Sequence, residues 1–554
     1  MRTLLSQPVQ TWRSRPHARA AALVTALSVG LVSGCNAHQT AQPTPTGGAS
    51  TPASETASQP ASAAGSPASS ASSANSAAAS PAAAPLIWTD LTKQLNKEIG
   101  STKRKLQFAR AVMQVPLNWA APTGKTISIT VLRVRAATQH NRLGSLVINP
   151  GGPGGSGVDA AIGLAVDELP DAILDRFDIV GFDPRGIGLS HPLSCIPNKQ
   201  KDAELTEPAD PTTDAAWAQS IAESTKVADE CFLAYGSDLT YYSTAETVRD
   251  MEALRGALGD PKLTYLGYSY GTLIGAEYAS AYPDKVRAIV LDGAVDPTID
   301  TIDQDKTQAG GFELAFSHFA QNCTRSASKC KLGSDPRQFV QTLLAKAAAT
   351  PIPSGNASDK RSAGDGAVLL GVISALYDQG QWGTLTTALV DASHGDAAGI
   401  LALDDQYNER SANGTYSNIE DANATIGCAD TIQRPTVAQA RALEPQWRAI
   451  DPLFGGPAAS SLGFCSLWKA PPDQPIEVAD HHSAPILVIG TTGDPATPIS
   501  GAQHLAQLLG SGRLLVWQGD GHTAYPKTSC ITTDVDRYLL DLTLPAVGTT
   551  CPAG

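Results

Sequence analysis

The segment Gly267-Tyr268-Ser269-Tyr270-Gly271 follows the apolar run Leu263 to Leu266 and precedes a helix-like stretch from Thr272 to Tyr282. A strand must therefore turn sharply into a helix with a serine at the apex. Such a turn needs strained dihedrals and a helix packed close on its strand, and only very small flanking residues permit both. Gly267 and Gly271 meet that requirement. With 49 glycines in 554 residues, the pattern carries little weight, and its position between strand and helix carries most of it. A serine hydroxyl raised above a sheet is a weak nucleophile that needs a base, a group orienting the base, and donors for an oxyanion.

Phe108 to Val115 and Thr126 to Ala136 alternate apolar and polar residues and read as antiparallel strands. Leu146 to Asn149 is a short apolar strand running into Pro150-Gly151-Gly152-Pro153-Gly154-Gly155-Ser156-Gly157. That loop lacks the Gly-Lys-Ser/Thr ending of a P-loop and any G-x-G-x-x-G followed by a suitable acid, which argues against nucleotide phosphates. Phe177 to Phe182 is a further buried strand, ending in Asp183-Pro184-Arg185-Gly186-Ile187-Gly188-Leu189-Ser190. Gly-Gly-Pro-Gly after one strand, Asp-x-Arg-Gly-x-Gly-x-Ser after the next and Gly-Tyr-Ser-Tyr-Gly later resemble the prolyl aminopeptidase and tripeptidyl aminopeptidase group of α/β-hydrolases, over about Phe108 to Cys551.

The resemblance implies an α/β-hydrolase fold with a mostly parallel central sheet and an inserted, mainly helical cap. It implies that Gly152 N–H, with Gly151 its neighbour, and Tyr270 N–H face the oxyanion, and that Asp183 and Arg185 buttress the site loops. The triad order Ser, Asp, His then points to Ser269, to Asp494 just past the strand Pro485 to Gly490, and to His522 after the strand Arg513 to Trp517. Asp292 and Asp296, at the end of Val286 to Leu291, are rival acids. A helix from Ser243 to Leu258 leads into the strand before the serine. From about Thr298 to Asp473 the strand–helix alternation stops in favour of helical runs such as Ala367 to Tyr377 and Gly383 to His394. The expected organisation is a signal peptide over 1–34, a linker over 35–85, core over 86–297, cap over 298–473 and core again over 474–554. Ala424-Thr425-Ile426-Gly427-Cys428-Ala429-Asp430 in the cap resembles tripeptidyl aminopeptidase-like proteins most closely. Short peptides are the substrates this implies, without metal or organic cofactor, and Asp430 is a candidate for holding a substrate ammonium. An esterase or amidase, or a non-catalytic binding protein of the same fold, are the alternatives.

Four arginines precede an uncharged stretch from Ala20 to Gly34 that is of signal-peptide length, and Leu31-Val32-Ser33-Gly34-Cys35 resembles a bacterial lipobox. Export, lipidation at Cys35 and a membrane anchor outside the cytoplasm are therefore expected. Residues from Asn36 to about Pro85 are almost all Ala, Ser, Pro, Thr and Gly, which cannot bury enough surface to fold and suit a flexible tether. Removing residues 1–34 takes four arginines and no acids, so the formal charge of −13 becomes −17, which argues against nucleic acid as a partner. Eight cysteines then remain in an oxidising compartment. Sequence neighbours usually share a structural segment, so Cys195 with Cys231, Cys323 with Cys330, Cys428 with Cys465 and Cys530 with Cys551 are the expected pairs. No Cys-x-x-Cys or cluster of Cys and His suggests a metal site.

Overall fold

The computed structural model describes residues 84–553, apart from 101, 103, 207 and 326–329. The expected signal peptide, lipidated Cys35 and nearly all of the linker lie outside the described residues. The strands are β1 (Thr89–Asp90), β2 (Leu106–Pro116), β3 (Thr126–Ala136), β4 (Gly144–Asn149), β5 (Phe177–Phe182), β6 (Leu263–Tyr268), β7 (Val286–Asp292), β8 (Ile352–Pro353), β9 (Ser362–Ala363), β10 (Ile486–Gly493), β11 (Gly512–Asp520) and β12 (Thr550–Cys551). All but β8 and β9 form one sheet, ordered β1-β2-β3-β5-β4-β6-β7-β10-β11-β12.

The sequence explains which strands sit where. β2 and β3 pair antiparallel from Leu106 with Ala136 to Pro116 with Thr126, and β2 mixes buried and exposed positions as an outer strand should. β4, β5 and β6 are buried at every position, which is why they read as short continuous apolar runs. They pair in parallel, with helices on both sheet faces burying two separate apolar layers. The chain runs outward from β4 to β5 and returns past β4 to β6, so the loops leaving β4 and β6 diverge. The crevice at such a reversal, beyond the carboxyl ends of the strands, is where open α/β sheets hold ligands. The Gly-rich loop, Ser269, Asp494 and His522 all follow the ends of sheet strands.

Between β7 and β10 the described residues form eight α-helices, from Thr301–Thr324 to Gly455–Ser461, with the β8–β9 hairpin and a hydrophobic layer of their own that includes Phe312, Phe316, Val368 and Leu385. A second contributor was not foreseen. Asn198–Glu204 and Asp214–Tyr235 lie between β5 and the helix Thr244–Leu258, and they join this cap. Trp217 packs with Ala440 and Trp447, Arg448 pairs with Asp210, and Gly364 N–H donates to Leu205 O at 2.7 Å. Its long helix buries Ser220, Glu223 and Ser224 beside Trp217, Val227, Ala228 and Cys231, so no clean apolar stripe announces it. The disulfides join Cys195 to Cys231, Cys323 to Cys330, Cys428 to Cys465 and Cys530 to Cys551. Among the described residues no helix is long and apolar enough to cross a membrane.

Arg185 is fully buried where β2, the loop after β5 and two helical segments meet. Its Nε and Nη2 donate to the two Asp250 oxygens at 2.9 and 2.7 Å, and Nη1 donates to Leu117 O and Tyr241 O, both at 2.6 Å. Glu246 lies 3.4 Å away. A buried guanidinium is tolerated only when its charge and donors are matched like this. Asp250→Ala is expected to cost about 3–5 kcal/mol of folding stability by urea denaturation, because it strands most of that charge.

Candidate active site

The turn after β6 has the geometry its glycines anticipate. Ser269 holds φ 55° and ψ −123°, outside the regions L-residues favour, and the helix Tyr270–Ala281 begins at the next residue. A Cβ at Gly267 would collide with Gly271 O, and one at Gly271 would lie 2.8 Å from Asn149 Oδ1. The turn is pinned by Ser269 N–H donating to Asp292 O at 2.8 Å and by Thr272 Oγ1 donating to Ser269 O at 2.6 Å.

His522 and Asp494 meet across the ends of β11 and β10. His522 Nδ1 lies 2.8 and 2.9 Å from the two Asp494 oxygens, and both residues are buried. Asp494 Oδ1 also accepts Ala496 and Thr497 N–H at 3.0 and 2.9 Å, and Oδ2 accepts the Thr497 hydroxyl at 3.1 Å. A carboxylate at Nδ1 selects the tautomer with its proton there and leaves Nε2 as the free base. Nε2 is buried and has no hydrogen-bond partner among the described residues. The hydrogen bond from nucleophile to base commonly tightens only when substrate binds.

In the Gly-rich loop, Gly151 N–H donates to Asn149 Oδ1 at 2.9 Å, whereas Gly152 N–H and Tyr270 N–H donate to no protein acceptor among the described residues. Gly152 has φ 120°, and a Cβ there would run into Gly154 N, so the loop closes only with glycine at this position. Asp183 holds the loop from below, accepting the Ser156 hydroxyl at 2.6 Å, Val158 N–H at 3.1 Å and Leu189 N–H at 2.8 Å. Among the described residues the one grouping of three metal-ligating side chains is Cys530, Asp534 and Cys551. Its two sulfurs are spent in a disulfide and offer no thiolate.

Several residues around this site were not singled out as belonging to it from the sequence. Tyr377, at the end of the cap helix Asp365–Leu376, accepts His522 N–H at its carbonyl at 2.9 Å and sets its ring edge-on to the imidazole, centroids 5.3 Å apart. In the cap helix Ile419–Asp430, Asn423 Nδ2 donates to Pro153 O at 3.1 Å. At its other end Asp430 accepts Thr244 N–H at 2.8 Å and the Thr244 hydroxyl at 2.6 Å. Thr244 Oγ1 is 2.5 Å from the Tyr270 hydroxyl, which must be the donor because the threonine proton goes to Asp430. Glu277, on the helix after Ser269, is buried nearby, and its Oε2 has no hydrogen-bond partner among the described residues. Burial, with Asp430 adding to it, raises Glu277 well above the usual carboxylate range. Burial also pushes Asp430 up to about 7 against the bonds from Thr244.

Of the two rival acids, neither hydrogen-bonds the imidazole. Asp296 pairs with His504 at 2.6 Å. Asp292 grips both halves of the site. Its carbonyl accepts Ser269 N–H, while its buried carboxylate accepts Ala524 N–H at 3.0 Å and Tyr525 N–H at 2.7 Å, just beyond His522. Burial raises its pKa to about 6, held down by those two N–H bonds and by Lys527 and His522. Asp292→Asn keeps the size but offers one acceptor oxygen in place of two, so the histidine loop shifts. The expected result is a fall in kcat of about ten- to a hundredfold with a smaller change in KM, checked by steady-state hydrolysis of an activated ester.

A model of the alpha/beta hydrolase fold matches residues 144–527. Serine protease Hip1 of Mycobacterium tuberculosis (strain ATCC 25618 / H37Rv) is 37% identical over 457 residues, covering 79% of this chain and 86% of that protein. Carboxylesterase B of the same strain is 35% identical over 466 residues, covering 82% and 88%. Tripeptidyl aminopeptidase of Streptomyces lividans is 30% identical over 458 residues, covering 79% and 82%. With the family model spanning most of the chain and relatives matched along most of their own length, this chain belongs to the α/β-hydrolase fold family.

Proposed function

We propose that this protein is a serine peptidase that releases short peptides, about three residues long, from the free amino end of its substrates through an acyl-enzyme. Ser269 Oγ attacks the scissile carbonyl while His522 Nε2 takes its proton, and Asp494 holds the imidazole tautomer and stabilises the cation. The N–H groups of Gly152 and Tyr270 receive the oxyanion. His522 then protonates the leaving amine, and water, deprotonated by the same nitrogen, frees Ser269. The lipobox-like sequence at Cys35 supports export and anchoring by lipid outside the cytoplasm, with residues 35–85 as the tether.

The observation that carries the aminopeptidase reading is a pair of carboxyl groups placed beside the residue that follows Ser269. Asp430 and Glu277 lie beside the Tyr270 side chain, and each is raised chiefly by the cost of burying its charge. A substrate ammonium entering between them relieves that cost. The separation also fits. Asn423, at the Gly-rich loop, and Asp430 are seven residues apart on one helix, about 10 Å along its axis, which an extended peptide spans in about three residues.

The same triad hydrolyses esters, and the likeness to carboxylesterase B favours a second reading in which no ammonium is recognised. Ala-Ala-Pro p-nitroanilide with free and acetylated amino ends, compared with p-nitrophenyl acetate, separates the two. Cleavage of the free-amine tripeptide alone among the anilides, lost in Ser269→Ala, is the expected result. Equal cleavage of the blocked anilide, or of the ester alone, overturns the aminopeptidase reading. The pH dependence adds a sign. Below about 7 Asp430 takes up a proton and loses its attraction for an ammonium, and above roughly 8 the substrate amine loses its own charge. KM for the free-amine peptide is therefore expected to pass through a minimum between those values. Asp430→Asn is expected to lower the free-amine to ester ratio of kcat/KM by about tenfold or more.

A further inference from the structure

The cap helix Ile419–Asp430 is tied to the catalytic loops at two points on one face. Asn423 reaches Pro153 O in the Gly-rich loop, and Asp430 reaches Thr244, which touches the Tyr270 hydroxyl. Gly427 is four residues after the first and three before the second, so it lies between them on the face that carries both contacts. A Cβ built on Gly427 meets no atom within 4 Å. Elsewhere along the same contact space is tight, since a Cβ on Gly154 would lie 2.6 Å from Ile419 O.

Packing therefore does not account for glycine at 427. A glycine inside a helix costs stability relative to alanine, and here nothing in the protein forbids the methyl group. Gly256 and Gly310 have the same freedom, but neither sits between two residues that grip the catalytic loops. Gly427 is half-buried, and the residues on either side of it along that face are tied to the Gly-rich loop through Asn423 and, through Asp430 and Thr244, to the Tyr270 hydroxyl.

We propose that Gly427 is a specificity-determining position, whose missing side chain keeps open the strip along which the acyl portion of the substrate lies against the cap helix. The direction of the substrate, amino end at Asp430 and scissile carbonyl at Gly152 and Tyr270, rests on the aminopeptidase reading, whereas the open strip does not. A methyl group at 427 trims the strip, and a leucine side chain fills it. Substrates with a long acyl portion lose affinity, and those with a short one are spared by comparison.

The test uses Gly427→Ala and Gly427→Leu in the full chain, with free-amine Ala-Ala-Pro p-nitroanilide, p-nitrophenyl acetate and p-nitrophenyl octanoate as substrates. Gly427→Ala is expected to keep or raise Tm, as a helix interior should when glycine becomes alanine. The tripeptide-to-acetate and octanoate-to-acetate ratios of kcat/KM are both expected to fall, through KM, by about tenfold or more in Gly427→Leu and by less in Gly427→Ala. Unchanged ratios in folded variants overturn the proposal, and so does a parallel fall on all three substrates, which signals general damage to the site. If the wild-type protein leaves the tripeptide uncut, the aminopeptidase reading fails, and the octanoate-to-acetate ratio still decides Gly427.

Discussion

Ser269 sits in a backbone conformation that costs an L-residue about 1–3 kcal/mol, and everything around it works to hold that conformation in place. Two glycines remove the collisions that would otherwise open the turn, and Asp292 O and the Thr272 hydroxyl take up the backbone groups the turn leaves exposed. The helix that starts at Tyr270 leaves the Tyr270 N–H without a protein acceptor among the described residues, as helix starts do, and it is this group that the proposed mechanism turns to the oxyanion. Strain, close packing and available donors are thus one arrangement. Relaxing the turn would move the nucleophile and the donor together.

The same economy appears in the acids. Three buried aspartates each use the carboxylate to hold backbone N–H groups of a catalytic loop: Asp183 for the Gly-rich loop, Asp292 for the segment after His522, and Asp494 for its own turn as well as the imidazole. Charge-assisted bonds to backbone N–H are strong, directional and independent of the neighbouring side chains, which suits loops that must be placed accurately. Arg185 has the complementary role in the next layer, drawing carbonyls and carboxylates from three segments onto one guanidinium.

The cap belongs to this arrangement and is more than a roof. Tyr377 holds His522 by its main chain, Asn423 holds Pro153, and Asp430 reaches the nucleophile's neighbour through Thr244. Two of the three cap contacts fall on loops of the site, and the third reaches the residue after Ser269 through Thr244. A displaced cap would therefore disturb base, oxyanion loop and nucleophile turn together, so cap and core are coupled through hydrogen bonds as well as through apolar contact.

Much of this was legible in the chain because it is local. The strands of the sheet centre announce themselves as short apolar runs, Ser269 by the two glycines its turn needs, and Asp494 and His522 by following strand ends in the required order. The cysteines pair with their nearest neighbours in sequence, across 7 to 37 residues. The Gly-rich loop, with Gly152 as its expected donor, was legible from the sequence, and the structure adds that Asn149 Oδ1 takes the neighbouring Gly151 N–H. The second cap segment, over 198–235, stayed hidden because its buried stripe mixes serines and a glutamate with apolar residues. Tyr377, Asn423, Thr244, Glu277 and Gly427 could not be assigned to the site from sequence, since each takes its place from partners far along the chain. Asn423 meets a residue 270 positions away and Asp430 one 186 positions away. The sequence by itself determined the sheet, the nucleophile turn and the order of the triad, through hydrophobic pattern and backbone sterics that act over a few residues. Only the tertiary structure decided which face of a distant cap helix meets the Gly-rich loop and Thr244, because that depends on how two insertions pack together.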